Sequence, residues 1–142
     1  MIELRELSIE DLEFLLEIRN DDSTRVNLEN DAIFDTDNCT KWFLTTNPKW
    51  YIIINEKNQK VGYIRTNGDD VGCDIHPKHR RKGYARLAYN EYLKDKDYAT
   101  LWVFEDNFAK NLYESLGFIE NGESKTIRDR KYVRMIWKKP VT

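Results

Sequence analysis

Residues 76–86 read His76-Pro77-Lys78-His79-Arg80-Arg81-Lys82-Gly83-Tyr84-Ala85-Arg86, and they join a predicted strand directly to a predicted helix. The start of a helix carries a partial positive charge and unpaired N–H groups, so Asp, Glu, Ser or Thr normally occupy it. Here the position holds three cations: Arg80, Arg81 and Lys82. Gly83 lets the backbone approach a ligand closely, and Ala85 keeps the next turn clear. This pattern predicts a phosphate or pyrophosphate site, with a solvated basic turn as the alternative.

Strand and helix patterns alternate on both sides of this stretch. The spacing of apolar residues predicts strands at 2–4, 50–55, 61–66, 71–75, 100–104, 118–120 and 132–137, and helices at 9–20, 39–46, 82–94 and 108–116. The acidic segment 21–38 is expected to be a partly ordered loop, and Asn67-Gly68 to form a type I′ hairpin turn. The order βααβββαβαββ predicts an α/β fold with a mixed sheet and helices on its faces.

Composition limits the class of protein. A chain of 142 residues, 40% of them hydrophobic and 13% aromatic, is predicted to form one domain over 1–142. Its two cysteines, Cys39 and Cys73, are too few for a disulfide scaffold. We expect a cytoplasmic protein with no membrane partner, because no apolar run approaches a membrane span and the first residues lack the apolar part of a signal peptide. A net charge of -2 disfavours nucleic-acid binding.

Two motifs in register resemble the GNAT acyltransferase superfamily. Arg80-X-X-Gly83-X-Ala85, between a strand and a helix, is similar to the family signature Arg/Gln-X-X-Gly-X-Gly/Ala. A dinucleotide fingerprint would need three spaced glycines, and a P-loop would need Gly-Lys-Ser/Thr. The segment from Asn107 to Phe118 is similar to the family helix Ala-X-X-Leu-Tyr-X-X-X-Gly-Phe. With the element order, the resemblance covers almost the whole chain.

The resemblance implies a GNAT-like fold in which the two middle strands, 71–75 and 100–104, splay apart. It implies acetyl-CoA as co-substrate and direct transfer of the acetyl group to a primary amine, without a metal. Pyrophosphate would lie on the main-chain amides of 81–86, and the pantetheine arm between the two splayed strands. The cofactor-binding residues expected on this basis are Cys73, Asp74, Ile75, Arg80, Arg81, Lys82, Gly83, Tyr84, Ala85, Arg86, Asp106 and Asn107.

Two residues are candidates for proton transfer. Tyr113 matches the family's tyrosine and would protonate the departing thiolate; packing in a helical stripe is the alternative role. Asp70 begins the motif strand and would act as the base, directly or through water, with Asp69 and Asp74 as competitors. No side-chain nucleophile is implied.

One position departs from the family pattern. Family members often carry Asn seven residues before the tyrosine, where the side chain contacts pantetheine. Asp106 stands at that place here, and Asn107 follows one residue late. Either the helix starts one residue short or Asp106 is its N-cap, so which of the two contacts pantetheine is left open.

The spacing of Cys73, His76 and His79 also invites a metal-site interpretation. Strand alternation puts Cys73 and His76 on opposite faces, and no fourth ligand is near in the sequence. We therefore predict no metal.

The acceptor is not specified by the sequence. The acidic segment 21–38 favours a polyamine or basic peptide. An anionic acceptor, such as a nucleotide-sugar, is favoured instead by the basic residues Arg128, Arg130, Lys131, Arg134, Lys138 and Lys139. Arg19-Asn20-Asp21, followed by Trp42-Phe43, loosely resembles GNAT members that acetylate amino-sugar nucleotides or ribosomal-protein N-termini.

The acceptor classes therefore stay open as a small molecule, an amino-sugar nucleotide or a protein N-terminus. The alternative function is a non-catalytic acyl-CoA-binding or regulatory module. A homodimer is compatible with the sequence but is not derivable from it.

Overall fold

The computed structural model describes residues 1–141, which form seven strands and five helices. The strands are β1 (Glu3–Glu6), β2 (Tyr51–Ile54), β3 (Lys60–Asn67), β4 (Asp70–Ile75), β5 (Tyr98–Phe104), β6 (Ile119–Ile127) and β7 (Arg130–Lys138). The helices are α1 (Leu12–Arg19), α2 (Asp22–Arg25), α3 (Thr36–Thr46), α4 (Tyr84–Leu93) and α5 (Ala109–Leu116), with single 3₁₀ turns at Ile9–Asp11 and Pro77–His79. No helix in this range is long and apolar enough to cross a membrane.

All seven strands belong to one sheet, in the order β1-β2-β3-β4-β5-β7-β6. Every neighbouring pair is antiparallel except β4 and β5, which are parallel. The predicted mixed sheet with flanking helices is therefore confirmed. The element order differs from the expectation by one additional short helix, α2.

The β4–β5 pair carries the feature that positions the site. Only Asp70 and Thr100 are in register, and the Thr100 N–H donates to the Asp69 carbonyl at 2.9 Å. Beyond this point the two strands separate, as the resemblance implies. The edge of β4 that faces β5 therefore has main-chain polar groups without a neighbouring strand.

Apolar side chains form a core on each face of the sheet. On one face, Val71, Cys73 and Ile75 of β4 pack with residues of α4 and α5. On the other face, Ile52 and Tyr63 pack with residues of α1 and α3. Alternation along β4 turns its acidic residues away from the first core, so the strand presents carboxylates on the second face only.

Segment 21–38 is more regular than expected. Asp21 caps α2 by accepting from the Ser23 N–H at 3.0 Å, and Asp35 starts α3 at Thr36 by accepting from the Asn38 N–H at 2.7 Å. The expectation of a helix that starts only at Cys39 is therefore wrong. The side-chain oxygens of two aspartates supply the local hydrogen bonds that begin both helices.

Two other boundaries differ from the sequence expectation. Asn67 pairs with Asp70, so the two residues of the hairpin turn are Gly68 and Asp69. Among residues 67–69, only Gly68 has a positive φ, which excludes the predicted type I′ turn at Asn67-Gly68. β6 extends well beyond residue 120, because it pairs with β7 as far as Ile127. Because its side chains are exposed, the spacing of apolar residues in the sequence does not indicate the full length of this strand.

A buried carboxylate fastens the first turn to the sheet. Asp11 is 1% exposed and forms ion pairs with Arg5 at 2.9 Å and Lys60 at 2.7 Å. It also accepts from the Ser8 N–H at 2.9 Å. Burial by itself would raise the pKa of Asp11, but the hydrogen bonds from Arg5 and Lys60 outweigh it and lower the pKa below its usual value.

Because the pKa of Asp11 is lowered on folding, its contribution to stability is present above the unfolded pKa of about 3.9 and is lost as the pH falls further. Asp11→Asn should lower the free energy of unfolding at pH 7 by about 1–3 kcal/mol. The difference between parent and variant should shrink at pH 3, measured by urea denaturation at both pH values. The exposed neighbour Glu10→Gln is the control, and a difference that does not depend on pH would contradict the assignment.

Candidate active site

The N-terminus of α4 presents a row of main-chain N–H groups without protein partners. Gly83, with a φ of 80°, is the N-cap and offers no side chain to them, and Arg81 also has a positive φ of 62°. Within residues 1–141, no protein oxygen accepts from the N–H groups of residues 81–86; the first bond is from Leu87 to the Gly83 carbonyl at 3.1 Å. A Cβ added at Gly83 would meet no atom within 4 Å. The row is open and can receive an anion.

The cations of this stretch divide into two groups. Arg81 and Lys82 are exposed, and neither makes a hydrogen bond or ion pair to the described residues. Arg80 donates to the Ile75 carbonyl at 3.1 Å, to Ser23 Oγ at 2.6 Å and to Thr24 Oγ1 at 3.0 Å. The Arg80 side chain therefore fastens α2 to the end of β4, a role that the motif alone did not indicate.

Two cavities, each of about 640 Å³, meet at the splay. The first, called here the cofactor-side cavity, is bordered by most of the residues expected to bind cofactor: Cys73, Asp74, Ile75, Arg80, Arg81, Gly83, Tyr84, Ala85, Arg86 and Asn107. Lys82 and Asp106 are not among its lining residues. The structure thus brings together residues that are more than 30 positions apart in the sequence.

The second cavity, called here the acceptor-side cavity, is lined by aromatic and polar side chains. Trp42 and Trp50 pack edge to face with ring centroids 4.8 Å apart, and Trp102 stacks on Tyr132 at 5.4 Å. Four residues border both cavities: Arg65, Trp102, Tyr113 and Tyr132. They mark the junction at which molecules bound in the two cavities would meet. Of these four, the sequence analysis named only Tyr113.

Tyr113 is buried at this junction, and its ring packs on Tyr89 at 5.4 Å and on Phe118 at 6.1 Å. Burial raises the pKa of Tyr113 to about 12, so the phenol keeps its proton at neutral pH. Burial also raises the pKa of the nearby Cys73 thiol, which disfavours a thiolate nucleophile there. The arrangement fits Tyr113 both as a proton donor and as a core residue.

The acidic candidates on β4 all have partners or lie apart. Asp70 borders the acceptor-side cavity, accepts from Thr100 Oγ1 and forms an ion pair with Arg134 at 2.9 Å. Asp74 forms an ion pair with Arg65 at 3.0 Å. Asp69 is exposed in the hairpin turn. Direct proton abstraction by Asp70 would compete with its two protein contacts.

Asp106 is not the N-cap of α5. Its carboxylate accepts from Arg130 at 2.7 Å, whereas Asn107 Oδ1 accepts from the Ala109 N–H at 3.0 Å. Asn107 therefore caps the start of the helix, because its side chain is the one directed at the free N–H groups. The interpretation of Asp106 as the cap is wrong.

The basic C-terminal residues are largely engaged by the chain itself. Arg128 donates to the carbonyls of Glu29 at 3.0 Å and Leu28 at 2.6 Å, and Arg130 donates to that of Val26 at 2.6 Å. The β6–β7 hairpin thus holds the segment that follows α2. These contacts join residues about 100 positions apart, so no local sequence pattern indicates them. In the described part of the chain, no cluster of three or more His, Cys, Asp or Glu is arranged to hold a metal ion.

The two arginines at 80 and 81 should behave differently when neutralised. Arg80→Gln removes the bonds that hold α2, so amide hydrogen exchange in residues 22–28 should become about tenfold faster. Arg81→Gln is the matched control and should leave that exchange unchanged, because its side chain is exposed. Equal exchange rates in the two variants would show that Arg80 does not hold α2.

Comparisons with known proteins agree with this geometry. A family model described as an acetyltransferase (GNAT) domain matches residues 47–120, just over half of the chain. The fold is similar to that of a spermidine N-acetyltransferase from Vibrio cholerae in complex with CoA and spermine, with a TM-score of 0.88 and 20% identity over 96% of this chain and 95% of that one. It is also similar to yncA from Salmonella typhimurium with its cofactor acetyl-CoA, with a TM-score of 0.76 and 20% identity over 100% of this chain and 96% of that one.

No curated protein sequence matches the chain significantly. At about 20% identity, the likeness to the two solved structures is one of fold. The match to the family model spans both sequence motifs and the splayed strands between which the two cavities meet. The chain belongs to the GNAT acetyltransferase family.

Proposed function

We propose that the protein, as a single domain over residues 1–142, transfers the acetyl group of acetyl-CoA directly to a primary amine. One observation carries the proposal: the free N–H row at the start of α4 opens into a cavity that meets a second cavity at Tyr113. A donor and an acceptor bound on opposite sides of that junction would have their reacting groups in proximity.

The donor side uses main-chain groups more than side chains. The N–H groups of residues 81–86 would bind the pyrophosphate, with Arg81 and Lys82 adding positive charge. The pantetheine arm would lie between β4 and β5, where Cys73, Asp74 and Ile75 offer main-chain hydrogen bonds. Asn107 is the better candidate for an amide contact, because the Asp106 carboxylate is held by Arg130. Fixed donors on β4 would also stabilise the charge that develops on the acetyl carbonyl oxygen.

The reaction balances without a protein nucleophile. The amine nitrogen forms a bond to the acetyl carbonyl carbon, the carbon–sulfur bond breaks, and the thiolate takes up a proton while the amine gives one up. Tyr113 would supply the proton to sulfur, since its phenol is protonated at neutral pH. Asp70 would receive the proton from the amine through water, because its oxygens already contact Arg134 and Thr100.

The fold likeness to a spermidine N-acetyltransferase does not carry over to the acceptor. The two carboxylates that border the acceptor-side cavity, Glu29 and Asp70, form ion pairs with Lys125 and Arg134. A polycation would therefore find no free carboxylate among the described lining residues. The alternative function, a non-catalytic acyl-CoA-binding module, shares the donor side and differs only in lacking transfer.

Binding of CoA should depend on the cations beside the free N–H row. Arg81→Glu should weaken the affinity for CoA at least tenfold, because it places a negative charge beside the pyrophosphate. The parent affinity should also fall as salt is added, because screening weakens the attraction. Isothermal titration calorimetry measures both effects, with Lys57→Glu as a charge-matched control on an exposed turn. An unchanged affinity in Arg81→Glu would contradict the phosphate assignment.

Tyr113→Phe should lower kcat for acetyl transfer by about 10²- to 10⁴-fold, because it removes the proton donor but keeps the ring that packs on Tyr89 and Phe118. Release of free CoA thiol from acetyl-CoA, in a panel of primary amines, measures the rate. The affinity for CoA should stay the same in this variant.

An unchanged kcat would assign Tyr113 to packing alone. A parent protein that binds CoA but acetylates none of the amines would favour the non-catalytic module.

A further inference from the structure

Arg65 occupies an unusual place at the junction of the two cavities. It lies on β3 directly opposite Gly72 of β4, and its guanidinium covers that glycine. A Cβ added at Gly72 would lie 2.4 Å from Nη2 and 2.5 Å from Cζ of Arg65. The missing side chain at Gly72 therefore lets the guanidinium reach across β4 toward the splay.

Only part of this guanidinium is engaged by the protein. Nε donates to Asp74 at 3.0 Å, whereas Nη1 and Nη2 make no hydrogen bond within residues 1–141. The side chain is 35% exposed, and it borders both cavities. The two free nitrogens form the planar fork that binds a carboxylate through two parallel hydrogen bonds.

The acceptor-side cavity has an excess of positive charge. Its two carboxylates are already paired, as described above. Within residues 1–141, its other cations, Arg19 and Lys49, have no carboxylate partner: Arg19 donates to the neutral carbonyls of Asn30 at 2.6 Å and Ala32 at 3.1 Å. Such a cavity favours an acceptor that carries a negative charge.

The rings that line the acceptor-side cavity and the position of Arg65 limit the chemical class of the acceptor further. The tryptophan and tyrosine rings at 42, 50, 102 and 132 suit a large apolar body. The acceptor amine must reach the junction to react, and Arg65 borders the junction itself. An anionic group bound by Arg65 must therefore lie close to the reacting nitrogen. In an α-amino acid the nitrogen and the carboxylate carbon are only about 2.5 Å apart.

We propose that Arg65 binds a carboxylate adjacent to the reacting amine, and that the acceptor is an α-amino acid with a large apolar side chain. This inference rests on the proposed acetyl transfer and names its acceptor class. The carboxylate takes no part in bond making; the amine nitrogen attacks the acetyl carbon as written above. Arg65 is thus a specificity-determining residue that orients the amine toward the thioester.

The test compares three amines that differ only in the carboxylate: L-phenylalanine, L-phenylalaninamide and 2-phenylethylamine. Values of kcat/KM are corrected for the fraction of each amine that is unprotonated at the assay pH. L-Phenylalanine should exceed the other two by about 10- to 100-fold, the effect of a charged hydrogen-bonded pair. In Arg65→Gln this preference should fall to within about twofold of unity, whereas Lys57→Gln should retain it. Spermidine should be a poorer acceptor than L-phenylalanine.

A second variant, Arg65→Lys, keeps the test valid if Arg65→Gln does not fold. It keeps the positive charge near Asp74 but lacks the planar pair of nitrogens that binds a carboxylate. Its preference should lie between those of the parent and Arg65→Gln. Thermal unfolding and calorimetric CoA binding show that each variant is folded. A parent protein that shows no preference for the carboxylate would overturn the proposal. An equal loss for all three amines in Arg65→Gln would also overturn it, because Arg65 would then act on the donor or on folding.

A binding measurement separates this proposal from the proposed function. Tryptophan fluorescence, which reports on the cavity walls, is titrated with L-phenylalanine and with its amide, in the absence and presence of CoA. A preference for the carboxylate that disappears in Arg65→Gln supports the role of Arg65 even where no acetyl transfer is observed; the proposed function alone then fails. Equal binding of the two ligands to the parent overturns the proposal.

Discussion

The parting of β4 from β5 after a single aligned pair is the constraint on which the rest of the site depends. A continuous sheet would satisfy the main-chain polar groups of both strands. Here, beyond Asp70 and Thr100, the groups that β4 and β5 turn toward each other have no neighbouring strand. The gap also joins the two faces of the sheet, so that Tyr113 on one side and Arg65 on the other border the same opening. The donor site and the acceptor site therefore lie on opposite sides of the gap at which the hydrogen bonds between β4 and β5 stop.

Arginines hold the segments around this opening in place. Arg80 connects the end of β4 to α2, and Arg128 and Arg130 connect the β6–β7 hairpin to residues 26–29. Their guanidinium groups bond mostly to main-chain carbonyls and to hydroxyl groups. These contacts hold residues 22–29 in place, a polar segment that contains no glycine. Asp106, which the sequence analysis considered for the contact with pantetheine, is one of the partners of these arginines. Its carboxylate holds Arg130.

The parts predictable from sequence are those whose physics is local. The cationic start of α4, the alternation along β4 and the apolar stripe containing Tyr113 each follow from neighbouring residues, and the structure agrees with all three. α2 and the long β6 were missed, because side-chain caps build the first and a partner strand builds the second, with few apolar residues in either. Arg65 and Trp102 were missed because their importance arises only where distant strands meet.

The close contact between Arg65 and Gly72 has a consequence for how the chain tolerates change. The two positions occupy one volume: any side chain at 72 would collide with the guanidinium that reaches across it. A side chain at position 72 would therefore displace the flexible tip of Arg65 from its place over β4. A substitution at position 72 would thus act at a distance from its own backbone, by moving the guanidinium that borders both cavities.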